Sequence, residues 1–147
     1  MTKLLTTRKL LTTIVLSTAL LLTSWSASAA IKSIAFDTSK LSQYSTFDLS
    51  YSFTFLPAYK NGHTDVNDNV TGMPMTPSSI LSTEVAAMND YLSDVISNGA
   101  SEYQTMSISF IFHDNSGSKL TCSFSKAQLS NDAPNGVVNL PNPQYCS

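Results

Sequence analysis

The residues of this chain best suited to chemistry lie close together in a polar segment near the middle of the sequence. His63, Asp65 and Asp68 supply an imidazole and two carboxylates within six residues, and Asn67 and Asn69 add amide oxygens. An imidazole beside a carboxylate can act as a general base for a hydroxyl nucleophile. Oxygen ligands at alternate positions, as at 65, 67 and 69, can also gather a hard cation such as Ca²⁺. The segment therefore raises two hypotheses, hydrolysis and metal binding.

Both hypotheses lack residues that they require. A calcium loop of the EF-hand type needs glycine at its sixth position and a bidentate glutamate at its twelfth, where this chain has Val70 and Thr76. No G-x-S-x-G motif supplies a nucleophile for His63 or for His113. We therefore predict no catalytic residue, no metal site and no cofactor. A hydrolase that uses His63 with Asp65 or Asp68, and a metal- or glycan-binding adhesion module, remain the alternatives.

The polar segment as a whole, Ala58–Pro77, is predicted to be a long irregular loop. It combines Asn61-Gly62 with Gly72, Pro74 and Pro77, all turn-forming residues, and it contains few apolar side chains. Loops of about twenty residues are unusual inside a compact domain and are typically either functional or disordered. The loop is therefore the predicted binding site, and its candidate residues are Tyr59, Asn61, His63, Asp65, Asn67, Asp68 and Asn69.

The element that must position this loop is the strand just before it, Thr46–Phe55. Large apolar residues alternate there with polar ones without a break, and the large ones are Phe47, Leu49, Tyr51, Phe53 and Phe55. Because successive side chains of a strand point to opposite faces, the pattern predicts one aromatic face and one polar face. A shorter run at 31–36, in which Ile34 and Phe36 alternate, predicts a first strand.

One amphipathic helix is predicted at Pro77–Asn98. Thr76 is a suitable N-cap, Pro77 fits the first helical position, and Gly99 fits the position after the end. The apolar residues recur every three or four positions and form one stripe, made of Leu81, Val85, Met88, Leu92, Val95 and Ile96. The polar residues, Asn89 among them, are expected on the opposite side.

A β-hairpin is predicted at Gln104–Ser125, and its register can be argued from the sequence. A three-residue loop, Asn115-Ser116-Gly117, places Phe112 opposite Leu120 and Phe110 opposite Cys122, so that apolar residues share one face. His113 is expected on the other face, in solvent. With the two earlier strands and the helix, the order is β-β-α-β-β. We predict a two-layer α+β domain with a mostly antiparallel sheet and one helix on its aromatic face. Strand order stays open. If the second and third strands are neighbours, the helix is a crossover between them and they run parallel; otherwise two hairpins meet by another edge.

The outward positions of these strands form a second candidate surface. They carry hydroxyl groups almost throughout, and we call this set the hydroxyl face: Ser50, Ser52, Thr54, Thr105, Ser107, Ser109, Thr121, Ser123 and Ser125. Such a row is typical of the solvated side of an antiparallel sheet. The alternative to this preferred interpretation is a flat contact surface for a partner protein, a second subunit or a glycan.

Residues 1–29 are predicted to be a signal peptide that is cleaved after Ala29. Basic residues come first, an uncharged apolar stretch follows at 10–22, and Ala27-Ser28-Ala29 fits an A-x-A cleavage pattern. The apolar stretch is shorter than the roughly 20 residues of a membrane-spanning helix, so no membrane span is expected after cleavage. Residues 30–126 are predicted to form a single domain. We expect the protein to be periplasmic or secreted.

Cys122 and Cys146 are the two cysteines, and export to an oxidising compartment predicts a disulfide between them. The bond would hold the Pro- and Asn-rich tail, residues 127–147, on the domain.

Charge excludes one class of partner. Beyond residue 29 the chain carries all ten of its acidic residues against five lysines and no arginine, a net charge near −5, with no basic patch for nucleic acid. The sequence favours a small exported bacterial protein that acts by binding another protein, as an inhibitor, an immunity-type protein or a secreted interaction factor. Its oligomeric state is left open.

Overall fold

A computed structural model describes residues 29–147 of the chain. The fold is α+β, with a four-stranded antiparallel sheet, a separate two-stranded parallel sheet and one long helix. The predicted signal peptide lies outside the described residues except for Ala29, which exchanges backbone hydrogen bonds of 2.9 and 3.0 Å with Ala133. The strands are β1 (Ser33–Phe36), β2 (Tyr44–Phe55), β3 (Val66–Pro74), β4 (Tyr103–Asp114), β5 (Lys119–Phe124) and β6 (Val137–Leu140). The helices are α1 (Ser79–Asn98) and α2 (Lys126–Asn131).

The large sheet has the strand order β3-β2-β4-β5. Its central strand pair, β2 and β4, is antiparallel, with Tyr51 opposite Ile108 and Phe53 opposite Met106. From the sequence we expected these strands to run parallel if they were neighbours, because only the helix was thought to join them. That expectation is wrong because β3 lies between β2 and α1 in the chain and runs antiparallel to β2. The helix therefore connects β3 to β4, which run in the same direction, and β4 is antiparallel to β2.

The strand β3 is the main departure from the predicted elements, since it occupies the second half of the supposed loop. It pairs with β2 in an antiparallel register that sets Ser50 opposite Asn69 and Ser52 opposite Asn67. A register shift between Phe47 and Leu49 marks a β-bulge, at which β3 has one residue more than β2. Between β2 and β3 the chain is therefore without strand structure only at residues 56–65, which include a 3-10 turn at Pro57–Tyr59, and a short bend at residues 75–78 follows β3 before α1.

The aromatic face of β2 forms the core, as the alternation predicted. Its five large residues are all buried, and they pack with the inward side chains of β4 and the apolar stripe of α1. The helix begins at Ser79, two residues later than predicted, and Ser78 rather than Thr76 is its N-cap. The hairpin register is confirmed, with Phe112 opposite Leu120, Phe110 opposite Cys122 and a left-handed Gly117 in the turn.

The second layer contains more than the helix. Strand β1 does not join the large sheet and instead pairs in parallel with β6, and the ring of Phe36 packs 4.8 Å from that of Phe110. The predicted irregular tail therefore includes both α2 and β6. The side chain of Asn89, expected in solvent, binds the backbone of β1, accepting from Ile34 N at 2.8 Å and donating to Ile34 O at 2.9 Å.

Candidate binding surfaces

The seven candidate loop residues are divided between two parts of the structure. Tyr59, Asn61, His63 and Asp65 lie in the segment 56–65, while Asn67, Asp68 and Asn69 belong to β3. Along β3 the side chains alternate in direction, so the two asparagines lie on the outer side of the sheet and Asp68 on the helix side. The residues predicted as one site thus lie in three places: the loop 56–65, the outer side of the sheet, and the helix side of the sheet.

Asp65 fixes the loop to the end of β2. Its Oδ1 accepts a hydrogen bond of 2.8 Å from Phe55 N, and its Oδ2 lies 3.0 Å from Lys60 Nζ. The Phe55 N–H and then the Lys60 ammonium lower the pKa of Asp65. A carboxylate engaged in this way holds backbone and loop together.

The ring of His63 lies over Phe55, with 4.6 Å between the ring centroids, and the residue is exposed. Within residues 29–147, His63 has no side-chain hydrogen bond to a carboxylate or a hydroxyl group. The arrangement of base, orienting acid and nucleophile that a hydrolase needs is therefore not formed around it.

Asp68 lies against a core tyrosine. Its Oδ2 accepts a hydrogen bond of 3.0 Å from Tyr51 Oη, and its Oδ1 accepts one of 2.8 Å from Asn69 N. Burial, and next the hydrogen bond to Asp68, raise the pKa of the Tyr51 phenol. The calcium pattern does not converge either, because Asp65 is engaged with Phe55 while Asn67 and Asn69 lie on the outer side. The described part of the chain contains no group of three or more His, Cys, Asp or Glu placed to hold a metal ion.

Asn67 and Asn69 extend the hydroxyl face by one strand. Ser52 Oγ donates a hydrogen bond of 2.5 Å to Asn67 Oδ1, and Asn69 lies opposite Ser50. Across β2, β4 and β5, Ser50 pairs with Ser109 and Ser109 with Ser123, so the hydroxyl groups form rows across the strands. No outward side chain of these four strands is buried.

Two depressions cross the hydroxyl face and share Ser107. The first has a volume of about 400 Å³ and is lined chiefly by Ser50, Ser52, Asn67, Asn69, Ser107 and Ser109. The second, of about 460 Å³, continues from Ser107 over Ser123 to Gln128, Gln144 and Tyr145. The two shallow depressions meet at Ser107 and together cross the strands from β3 to the C-terminal tail, and we call the pair the polar groove.

One end of the hydroxyl face carries ionisable side chains. Asp48 Oδ2 lies 2.8 Å from His113 Nε2, and Asp48 Oδ1 accepts a hydrogen bond of 2.7 Å from Gly72 N in the β3 bulge. The expectation that His113 is simply solvated is therefore wrong. The polar groove lies beyond this pair, among neutral side chains.

A smaller cleft opens on the helix side of the sheet, under the loop 56–65. It has a volume of about 290 Å³ and lies between Gly62–Thr64 and one face of α1, over the ends of β2 and β4. The helix contributes Tyr91, Asp94 and Asn98, none of which the sequence marked as functional. Their spacing of three and four residues was a usable signal, because such residues share one helix face. We call this site the aromatic cleft.

The predicted disulfide joins Cys122 to Cys146 and holds the tail along the free edge of β5. Backbone hydrogen bonds of 2.9 Å join Thr121 to Ser147 in both directions, and Ser123 N donates to Tyr145 O at 2.9 Å. A disulfide of this kind fits an oxidising compartment such as the periplasm or the exterior. None of the helices within residues 29–147 is long and apolar enough to cross a membrane.

The fold and its polar groove place the chain among two-layer α+β proteins in which no element of residues 29–147 covers the outer face of the large sheet. Comparison with known proteins adds no narrower class, since no family model, no curated protein and no solved structure matches the chain.

Proposed function

We propose that the chain is a signal-directed, exported bacterial protein that acts by binding another protein across its hydroxyl face. The observation that carries the proposal is the polar groove, which crosses the sheet from Asn67 and Asn69 on β3 to Gln144 in the tail. A groove across strands suits an extended partner segment, whose polar groups it can meet with hydroxyl and amide side chains that both donate and accept.

The composition of the face supports binding rather than mere solvation. Over β3, β2 and β4 the outward side chains of the groove are short and neutral, whereas exposed strand faces are commonly kept soluble by lysine and glutamate. Serine and asparagine lose little conformational entropy when a partner immobilises them, and long charged side chains lose more. The partner that fits best is therefore an uncharged, polar segment of a protein.

The free edge of the large sheet also favours partner binding on this side of the molecule. The edge at β5 is covered by the disulfide-bonded tail. The other edge strand, β3, receives no backbone hydrogen bond from any described residue except its neighbour β2 and the adjoining turn. An open edge next to a polar groove lets a partner segment add main-chain hydrogen bonds to its side-chain contacts.

The test is capture of partners from envelope and culture-medium fractions by the exported, oxidised protein. Ser50→Arg and Ser109→Arg place a long cation in the groove, and each should reduce capture of a stoichiometric protein partner by at least about tenfold. Ser93→Arg, an exposed position on α1, is the matched control and should leave capture unchanged. Thermal unfolding of each variant checks that the fold is kept.

Asn67→Ala and Asn69→Ala separate the two halves of the original candidate loop. Under this proposal both weaken capture, whereas Asn61→Ala, in the loop 56–65, does not. Capture of a partner that is equally strong for all groove variants would refute the assignment of the hydroxyl face. Specific retention of a glycan and not of a protein would refute the proposed class of partner.

A further inference from the structure

The aromatic cleft has features of a ligand site that the proposed function does not use. Its floor is formed by the ring of Phe55, which lies 4.3 Å from the ring of Tyr103 and 4.6 Å from that of His63. Phe55 and Tyr103 are almost fully buried, so their packing fixes the floor. His63 and Tyr91 are exposed, and residue Tyr91 is 43% accessible. Two aromatic side chains therefore stand at the mouth of the cleft with their rings available.

The cleft combines neutral polar groups with carboxylates. Asp94 lines it directly, beside the neutral side chains of Thr64 and Asn98. Burial raises the Tyr103 pKa, the hydrogen bond with the Asn98 side chain opposes this, and the carboxylates of Glu102 and Asp94 lie close enough to raise it further. Beyond Tyr91, whose ring is 5.9 Å from that of Tyr51, the carboxylates of Asp68 and Glu84 act on Tyr51 in the same way.

The nearest lysines do not neutralise this charge. Lys60 is paired with Asp65 at 3.0 Å on the loop, and the Lys126 ammonium donates to the backbone carbonyl of Tyr103. No lysine lines the cleft among the residues that the structure describes. An anionic ligand would be repelled by the carboxylates here, and a neutral aromatic ligand would gain nothing from Asp94, whose side chain is exposed.

We propose that the aromatic cleft binds an alkylammonium group, held between the rings of His63 and Tyr91 with the Asp94 carboxylate as its counter-charge. The faces of aromatic rings attract cations through the negative charge density of the ring face. A volume of about 290 Å³ is at the lower limit of small-molecule sites, which suits a single ammonium group with its nearest carbons.

The ammonium group could belong to a free small amine or to the lysine side chain of a protein. Both present the same chemistry to the cleft. The site opens on the helix side of the sheet, opposite the hydroxyl face, so it is independent of the proposed partner surface. Loss of partner capture by groove variants and loss of ammonium binding by cleft variants can be measured separately.

The experiment is an NMR or calorimetric titration of the exported, oxidised protein with tetramethylammonium and with an N-acetyl-lysine amide. We expect saturable binding of at least one probe in the millimolar range, with sodium acetate and glucose as negative controls. Binding of both probes or of the lysine amide alone supports the proposal with a protein source for the ammonium group. Binding of tetramethylammonium alone supports it with a free amine as the source.

Three substitutions test the named contacts. Asp94→Asn should weaken probe binding about fivefold to tenfold, because the counter-charge is lost while the shape is kept. Tyr91→Ala should weaken it to a similar extent, whereas His63→Phe keeps an aromatic ring and should retain binding. Asp90→Asn, on an exposed neighbouring position of α1, is the matched control and should have no effect. Absence of saturable ammonium binding, binding insensitive to both Asp94→Asn and Tyr91→Ala, or saturable glucose binding in its place would overturn the proposal.

Discussion

Asp48 and His113, on neighbouring central strands, are joined on the outer side of the sheet by a contact of 2.8 Å between Oδ2 and Nε2. The other carboxylate oxygen accepts from Gly72 N, so one side chain links β2 to β4 and to the bulge of β3. The sequence places Asp48 sixty-five residues from His113, and the contact exists only because β2 and β4 are neighbours. The carboxylate stabilises the bulge that ends the straight part of β3.

The Asp48 contacts predict a pH-dependent contribution to stability. The Gly72 N–H, and next the His113 ring, lower the pKa of Asp48 below its ordinary value. Because the folded-state pKa is below the unfolded value near 4, the stabilisation is complete above about pH 4 and is lost as the pH falls toward the folded-state pKa. Asp48→Ala should therefore lower the free energy of unfolding by about 1 kcal/mol at pH 7 and by less at pH 3.

Urea unfolding of both proteins at the two pH values measures this difference. Asp90→Ala removes an exposed carboxylate from α1 and is the control, with no comparable change expected at either pH. A loss of stability for Asp48→Ala that is the same at pH 7 and pH 3 would show that charge on Asp48 does not contribute.

The core could be predicted from the sequence because its signals are local. The uninterrupted alternation from Phe47 to Phe55 determines which side of β2 is buried, and the turn at Gly117 determines the register of β4 with β5. Each inference depends on residues adjacent in the chain, whose side-chain direction follows from strand geometry.

The strand β3 could not be predicted in this way because nothing local requires it. Val66, Val70 and Met73 are its half-buried apolar residues, their spacing is irregular, and the residues between them are mostly exposed and polar. Its extended conformation depends on pairing with β2, which is a tertiary interaction. Because this strand was missed, the sequence analysis placed Asn67 and Asn69 in one site with His63. In the structure β3 carries both asparagines to the polar groove, away from His63.

Asn89 illustrates a second kind of missed signal. On a helix it appears as one more polar residue away from the apolar stripe, yet it is half-buried and bonded to both backbone groups of Ile34. Only the position of β1 beside α1 distinguishes it from a solvated asparagine.

This double hydrogen bond predicts a substantial effect of substitution. Asn89→Ala leaves the N–H and the carbonyl of Ile34 without these partners and should lower the free energy of unfolding by about 1–3 kcal/mol. Asn89→Asp keeps an acceptor for Ile34 N but places a carboxylate against Ile34 O, so it should not restore the wild-type value. Denaturant unfolding measures these free energies, with Asp90→Ala as the neighbouring control. Equal stabilities for the wild type, Asn89→Ala and Asn89→Asp would contradict the prediction.

The disulfide predicts a redox-dependent stability. The cysteines are 24 residues apart, and in the chain-entropy model a bond closing such a loop contributes about 3 kcal/mol. The double substitution Cys122→Ala and Cys146→Ala should therefore lower the free energy of unfolding by about 2–4 kcal/mol and make it insensitive to reductant. Faster hydrogen exchange at the amides of Thr121, Ser123 and Ser147 should accompany it, because the tail leaves the β5 edge. Unchanged exchange at these amides would show that the tail stays paired without the bond.

The contact between Tyr51 and Asp68 predicts a late-ionising phenol. Burial and the Asp68 carboxylate raise the Tyr51 pKa, so the stabilisation from its neutral form is complete below the unfolded value near 10 and is lost as the pH rises toward the folded-state pKa.

In a tyrosinate absorbance titration, Tyr51→Phe should remove one phenol from the late part of the curve. Asp68→Asn should shift that part to lower pH, because an amide accepts the hydrogen bond without repelling the phenolate. Tyr59→Phe, at an exposed position, controls for the loss of one phenol. If Asp68→Asn leaves the late ionisation in place, burial alone raises the pKa of Tyr51, and the Asp68 carboxylate on β3 does not contribute to it.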